Sequence, residues 1–544
     1  MPGMAKNIAD LFEHAVDAVP ERPALRVGDR TLSFADLETE SNKVAHFLAS
    51  QGVQAGDHVG ILAKNSVDHV TSMLALYKLR AVPINVNYRY VERELDYIID
   101  NSDMVGLITE RCYSELVSKC APKHDALRFV LVSEDGTDPN SAEGDATGYQ
   151  GVAWADAIPS QSAERDFGPR SEDDVYIVYT GGTTGFPKGV MWRHEDWWRV
   201  LGGGIDFMTG DVLEEMDQSR KATEGDPLVT LPISPIMHGG AQAGLLMHLF
   251  GGHFTILVPN FNAKEIWEII DRDKVQVLFM TGDAMARPLI EEYEKGGYDG
   301  SSLAAVASSA AIFSKPIKER WMKAFPAAFF TDSVGASETG FQGTGLQDAS
   351  TLSSDGPVIS PGVGTVILDD DNNVIDITRV GEIGRLARSG NVPLGYYGDE
   401  EKSRQTFLEL GGVRYSVPGD FARIEADNKI TLLGRGSNCI NTGGEKVFPE
   451  EVENALKGHP DVFDVLVIGT PDERFGSRVT AVVQPREEAS PDVEEIQTYL
   501  REHLSGYKIP RSFVFVPEIP RHVTGKANYP EAKRIATSAL DIVE

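Results

Sequence analysis

The chain has 544 residues, 41% of them apolar and 24% charged, with a formal net charge of −31. That length exceeds what one hydrophobic core serves, so two or more domains are expected. The negative field argues against a nucleic-acid partner and an anionic membrane surface, so any anionic substrate must be held by local cations and backbone dipoles.

Near the N-terminus Asp10 and Glu13 stand among apolar residues at helical spacing, which predicts an amphipathic helix and not a secretion signal. Residues 58–62 read as a strand, 67–80 as a helix, and 104–109 and 127–132 as strands. The alternation returns at 174–180, at 263–273 followed by 275–280, and at 317–325 followed by 329–332. Such strand–helix repeats imply parallel sheets covered on both faces, with ligands at the carboxyl ends of the strands. Acidic, turn-rich stretches at 133–149 and 209–226 read as surface loops. The longest apolar stretch, 245–261, is broken by Gly251-Gly252-His253, so no transmembrane span is expected. Short alternating strands follow at 365–368, 382–388, 421–425 and 429–433. Gly434-Arg435-Gly436-Ser437 then punctuates the chain. Beyond it a helix at 450–457, strands at 462–469 and 478–484 and a helix at 493–504 form a new unit, so we expect domains 1–434 and 435–544. Cys112, Cys120 and Cys439 have no metal-ligand spacing and suit a reducing cytosol, hence a cytoplasmic protein.

Four segments carry chemistry. The apolar run Val175-Tyr176-Ile177-Val178 opens into Tyr179-Thr180-Gly181-Gly182-Thr183-Thr184-Gly185-Phe186-Pro187-Lys188-Gly189. A loop of glycines, threonines and one lysine lets the backbone approach a polyphosphate and surround it with donors. It is not a Walker A loop, because Lys188 is followed by Gly189. The second segment, Asp332-Ser333-Val334-Gly335-Ala336-Ser337-Glu338-Thr339-Gly340, follows the strand end at Phe329-Phe330. A carboxylate just past such a strand end suits a divalent cation bridging triphosphate oxygens, and Glu338 is the candidate. Gly335-x-Ser337-x-Thr339 nearly matches a hydrolase nucleophile elbow, and His238-Gly239-Gly240 resembles a lipase oxyanion loop. Thr339 stands where that elbow requires glycine, so the hydrolase reading is set aside. Third, the Asp420 of Tyr415-Ser416-Val417-Pro418-Gly419-Asp420 is suited to accept both hydroxyls of a ribose, with Arg435 close to the same sugar or an α-phosphate. Fourth, Thr524-Gly525-Lys526, after Pro520-Arg521, offers a cation delivered into a site elsewhere.

These four sets, in this order, resemble the adenylate-forming superfamily of acyl-CoA synthetases, luciferases and peptide-synthetase adenylation domains, over nearly the whole chain. The resemblance implies an α/β fold, with a large N-terminal domain of two doubly wound subdomains plus a β-barrel and a smaller mobile α+β C-terminal domain. It also implies a two-step reaction: an acid attacks the α-phosphorus of ATP to give acyl-AMP and pyrophosphate, and a thiol, usually coenzyme A, displaces AMP. By position, Thr180, Gly181, Gly182, Thr183, Thr184, Gly185 and Lys188 would hold the β- and γ-phosphates. Ser309, Ala310, Ala311, Asp332 and Ser333 would border the adenine, while Ser337 and Glu338 would meet the α-phosphate and Mg²⁺, with Thr184 a second metal ligand. Asp420 and Arg435 would hold the ribose, Lys526 would bridge the attacking carboxylate and the α-phosphate, and His238 would gate the acyl pocket. Gly443, Gly444 and Lys446 would border the pantetheine arm of CoA.

Gly181 stands where serine is usual, Ser337 where threonine is, and Ser437 and Asn441 where charged residues are frequent; none of these changes removes a catalytic group. Residues 188–197 (Lys-Gly-Val-Met-Trp-Arg-His-Glu-Asp-Trp) and 281–288 resemble synthetases acting on steroid side chains and on long or branched fatty acids. Trp192, Trp197 and Trp198 have a packing alternative, and Gly202-Gly203-Gly204 is expected to leave room for a bulky acid. The expected activity is ATP-dependent ligation of a hydrophobic carboxylic acid to CoA. The alternatives are an acyl-AMP ligase serving a separate carrier protein and a non-enzymatic acyl-nucleotide binder. The choice of acid and the oligomeric state, a homodimer included, stay open.

Overall fold

In this computed structural model the described residues are 6–180, 187–311, 313–347, 356–442, 445–472, 476–504, 506–522 and 526–540. They pack as two compact units, Met1–Phe279 with Gly390–Glu409, and Met280–Ser389 with Leu410–Glu544.

The first unit is built on parallel sheets, as the strand–helix alternation requires. One orders Val82–Asn85, His58–Leu62, Met104–Glu110, Phe129–Ser133 and Val152–Ala153, every neighbour parallel. His58–Leu62 is buried along its whole length, which is why it reads as a continuous apolar run. In a second sheet Pro23–Val27, Phe254–Leu257, Val229–Pro232 and Val277–Met280 run parallel, with Arg30–Ser33 antiparallel at the edge. A third, antiparallel, joins Val175–Thr180, Lys188–Arg193 and Gly395–Tyr396. Ile177 and Tyr179 of its first strand sit in the same core as Leu107, Val130 and Val132 of the five-stranded sheet.

In the second unit Ala305–Ser309 pairs parallel with Phe329–Ala336, and antiparallel strands continue from it. Val358–Pro361, Ile430–Arg435, Asp420–Ile424, Ile383–Ser389 and Val413–Ser416 follow in spatial order. A separate antiparallel pair, Val462–Asp472 and Gly476–Pro485, carries Ser512–Phe515 in parallel and packs against the helices Pro449–Lys457 and Tyr529–Ala539. The α/β class expected from the sequence is therefore present, with helix-covered parallel sheets followed by antiparallel strands.

The expected N-terminal helix is present at Ile8–Ala18, while two other local readings change. In that helix Glu13 is buried, and the fully buried Lys78 ammonium lies between it and Glu38, 2.7 Å from Glu38 Oε2. Two carboxylates around one cation offset the cost of removing all three charges from water. The segment 209–226 contains the helix Asp217–Ala222, whose Gln218 accepts a 2.7 Å hydrogen bond from Trp198 Nε1. Nor does Gly202-Gly203-Gly204 leave room for substrate. A Cβ at Gly204 would lie 2.7 Å from the Trp198 ring and one at Gly203 2.7 Å from Gln218, so these glycines admit the indole. Trp192, Trp197 and Trp198 are all fully buried, and their packing role is the one realised.

Candidate active site

The strand Phe329–Ala336 runs further than the sequence suggests. It forms a hairpin with Gly340–Gln347, closing as Gly335 opposite Phe341 and Ala336 opposite Gly340. Ser337 and Glu338 are thus the tip of a tight turn. Thr339 is fully buried and its Oγ1 accepts from the Ala336 amide at 3.1 Å, which is why threonine, not the glycine of a hydrolase elbow, stands there. A nucleophile elbow joins a strand to a helix; a β-hairpin tip does not. Ser416 Oγ donates to the Glu338 carbonyl and clamps this turn to the strand Val413–Ser416.

Antiparallel pairing brings Asp420 opposite Arg435, with Nε 3.5 Å from Oδ1. Gly436 N–H donates to Gly419 O at 2.9 Å, extending the pairing one residue past the open end of this hairpin. Lys526 completes the group: Arg435, Glu338 and Asp420 all act on its charge. Its loop is closed at the base by a bridge from Arg521 to Ala527 and by His522 N–H donating to Lys526 O at 2.8 Å. Burial first, then Arg435, push the ammonium below the ordinary lysine range, while the two carboxylates oppose this. The residue as a whole keeps exposed surface, and solvent tempers these fields.

On the adjoining strands Ser308 and Ser309 pair in register with Asp332 and Ser333. Ala310 adopts φ +64°, a left-handed conformation that costs a non-glycine residue about 1 kcal/mol or more. The next residue, Ala311, donates its N–H to Ser309 O at 2.8 Å. Asp332 is buried and paired with Lys318, so its carboxylate is engaged inside the unit; burial raises its pKa and Lys318 pulls it down. Ser333 Oγ lies 3.2 Å from Thr344 Oγ1.

In the first unit Lys188 opens the strand Lys188–Arg193 opposite Thr180 and forms an ion pair with Asp399. Asp399 also caps the helix Glu400–Thr406, accepting from the Lys402 amide at 2.9 Å, and its hydrogen bond to Lys188 holds its pKa below the usual carboxylate range. Gly181, Gly182, Thr183, Thr184 and Gly185 lie outside the described residues, as do Gly443 and Gly444. Lys446 is described only by its backbone, in the strand Glu445–Val447. His238 is the N-cap of the helix Gly239–Phe250, and a Cβ at Gly239 would meet Val178 at 3.1 Å.

Sequence reasoning passed over Asn85. It is buried, its Nδ2 donates to Tyr179 O at 3.0 Å and Met237 O at 2.6 Å, and its Oδ1 accepts from Tyr179 N at 2.7 Å. One amide thereby ties Tyr179, near the end of the strand Val175–Thr180, to the residue preceding His238. Asn85→Ala is expected to destabilise the protein by about 2–3 kcal/mol, because buried backbone groups lose their partners. Urea unfolding would check the loss, and ATP titration would show a several-fold higher KM. Ser416 and Asp399 were likewise missed; each partner is distant in sequence, and no local pattern announces it.

A profile of the AMP-binding enzyme family matches residues 12–397, and one of the AMP-binding enzyme C-terminal domain matches residues 451–526. The chain belongs to the AMP-binding enzyme family. Among similar proteins, a 3-oxocholest-4-en-26-oate–CoA ligase from Rhodococcus rhodochrous is 52% identical over 537 residues, covering 97% of this AMP-binding enzyme and 96% of the relative. A medium/long-chain-fatty-acid–CoA/3-oxocholest-4-en-26-oate–CoA ligase from Mycobacterium tuberculosis is 50% identical over 532 residues, covering 97% and 96%. Among solved structures, an anthranilate CoA ligase with bound anthranoyl-AMP matches with a TM-score of 0.84 at 24% identity, covering 98% of both chains. ATP-bound MatB from Rhodopseudomonas palustris matches with a TM-score of 0.83 at 24% identity, covering 99% of this chain and 100% of its own. These structural likenesses establish the fold. No helix among the described residues is long and apolar enough to cross a membrane.

Proposed function

We propose that this AMP-binding enzyme is an ATP-dependent acid:CoA ligase for hydrophobic carboxylic acids, fatty or steroid side-chain, working through acyl-AMP in the cytoplasm. The observation that carries this reading is the convergence of Glu338, Asp420, Arg435 and Lys526, from three motifs far apart in sequence, within one compact unit. The two relatives named above add support through their printed activities.

Asp420 and Arg435 hold the ribose, and the backbone of 309–311 with Asp332 and Ser333 borders the adenine. Lys526 spans the attacking carboxylate and the α-phosphate and stabilises the charge that builds there. Lys188 and residues 180–185 hold the β- and γ-phosphates. Glu338 offers hard carboxylate oxygens suited to Mg²⁺, with Thr184 the second proposed ligand; the ion would neutralise triphosphate charge. His238 stands at the acyl pocket, and Gly443, Gly444 and Lys446 flank the CoA arm. We place the hinge between domains 1–434 and 435–544 at Arg435–Ser437, where the strand Ile430–Arg435 gives way to the short 3₁₀ turn Gly436–Asn438.

A bulky acid needs a wide wall. Gly240 and Gly244 stand one turn apart on the helix Gly239–Phe250, and a Cβ at either would meet nothing within 4 Å. Gly244→Phe is expected to lower kcat/KM for a steroidal acid at least about tenfold while sparing a medium-chain fatty acid. Competition between the two acids would measure it. The overall test is pyrophosphate release and thioester formation across fatty, aryl and steroidal acids. Acyl-AMP without thioester on free CoA would favour the carrier-protein alternative, and no pyrophosphate with any acid would remove the reading.

A further inference from the structure

A line of buried and half-buried charges runs from the helix Gly282–Glu294 to Arg521, ahead of Lys526. Asp283, in the first turn of that helix, accepts from Ser314 N–H at 2.8 Å through Oδ1 and turns Oδ2 toward Lys457 Nζ, 3.7 Å away. Lys457 is the last residue of the helix Pro449–Lys457, and its side chain is 4% exposed. On its other side Nζ lies 3.5 Å from Asp464 Oδ1, on the strand Val462–Asp472. Asp464 receives Arg521 in a two-pronged pair, Nε to Oδ2 at 2.8 Å and Nη2 to Oδ1 at 2.9 Å. Arg521 bridges to Ala527, the residue after Lys526, and His522 N–H donates to Lys526 O at 2.8 Å, so the pairing holds the backbone at Lys526. Beside this line Arg287, one turn along from Asp283, lies over the Phe463 ring at 4.9 Å.

The charges alternate, minus, plus, minus, plus, so each lies against a neighbour of opposite sign, and the buried Glu453 also acts on Lys457 and Arg521. Bidentate guanidinium–carboxylate pairing fixes angle as well as distance, so Asp464 fixes Arg521, and with it the bridge to Ala527 beside Lys526. Lys457 in turn holds Asp464 and ties the assembly to Asp283 on a different helix.

We propose that Asp283, Lys457, Asp464 and Arg521 form a positioning chain that holds Lys526 at the acyl-AMP-forming site, so that Lys457 and Asp283 act on the first half-reaction through Lys526 without touching substrate. This rests on the acid:CoA ligase reading and adds to it the structure that aims its lysine.

The test uses the full-length enzyme with ATP, Mg²⁺ and a long-chain fatty acid. Lys457→Met, which keeps the stem and drops the charge, is expected to slow pyrophosphate release about tenfold to a hundredfold, the scale of a misplaced catalytic group. The KM for the acid should not change, nor should thioester formation from supplied acyl-AMP and CoA, and Lys457→Arg should restore most of the rate. Asp283→Asn retains the bond to Ser314 and provides a milder second variant, with a loss of about threefold to tenfold. In a Lys526→Ala background neither change should slow the first step further, since both act through the same side chain. Equal loss in both half-reactions, a further full loss on top of Lys526→Ala, or wild-type rates for Lys457→Met and Asp283→Asn would each overturn the proposal while leaving the ligase reading intact. A wild-type enzyme that released no pyrophosphate would instead overturn the ligase reading and this inference with it.

Discussion

Lys526→Ala is expected to lower the rate of acyl-AMP formation about 10²–10³-fold, equivalent to roughly 3–4 kcal/mol of transition-state stabilisation. Negative charge grows on the bridging and non-bridging oxygens as the acid attacks phosphorus, and a cation held ready in a partly desolvated cleft responds without reorganising. Conversion of supplied acyl-AMP to the thioester should survive the change, because that step needs no charge at the place where the carboxylate attacks. Equal damage to both steps would refute the assigned role. The pH profile offers a second check. Burial and the neighbouring Arg435 lower the lysine's pKa, and the active form is the protonated one. The rate should therefore be full below that pKa and fall as pH rises through it, sooner than an ordinary lysine would dictate. In Lys526→Arg, whose guanidinium stays charged, this alkaline limb should disappear. A limb of unchanged position would assign it to another group.

Glu338→Gln should produce the other large effect, about a 10²-fold drop in pyrophosphate release, with activity requiring far more Mg²⁺. The substitution preserves shape and removes one charge from the hairpin tip. It also removes a carboxylate from beside Lys526, so that lysine's pKa should fall further and the alkaline limb should move to lower pH. The turn itself should persist, since Thr339 Oγ1 and Ser416 Oγ hold its backbone and neither bond uses the Glu338 side chain. Mg²⁺ titrations and thermal melts separate these outcomes. A variant with wild-type Mg²⁺ dependence would show that Glu338 is not the metal ligand.

Neither prediction depends on residues that sequence reading overlooked, and this marks where that reading was strong. The alternation of apolar runs located Val175–Thr180 and Ala263–Asp273 to within a residue, because 2.0 and 3.6 periods follow directly from backbone geometry. The candidate motifs stand out for a related reason: a loop suited to approach phosphate would need its glycines, hydroxyls and cation consecutively. Legibility failed where a side chain's meaning lies in a partner across the fold. Asp399 with Lys188, Asn85 between Tyr179 and Met237, and Ser416 beneath Glu338 are pairings of strand register and helix placement, with no local period to reveal them. The glycines at 202–204 show the same limit from the other direction, since space for substrate and space for Trp198 demand the same residue.

The amino-acid order by itself determined the α/β class and the family, and it singled out Glu338, Asp420, Arg435 and Lys526 as candidates, because each depends on residue type and short spacing. Only the tertiary structure decided that Asp420 pairs with Arg435, that these and Glu338 act on the charge of Lys526, and that Thr339 braces a hairpin tip. It alone set a line of buried and half-buried ions from Asp283 to Arg521, since long-range pairing of charges is chosen by packing, which no stretch of neighbouring residues encodes.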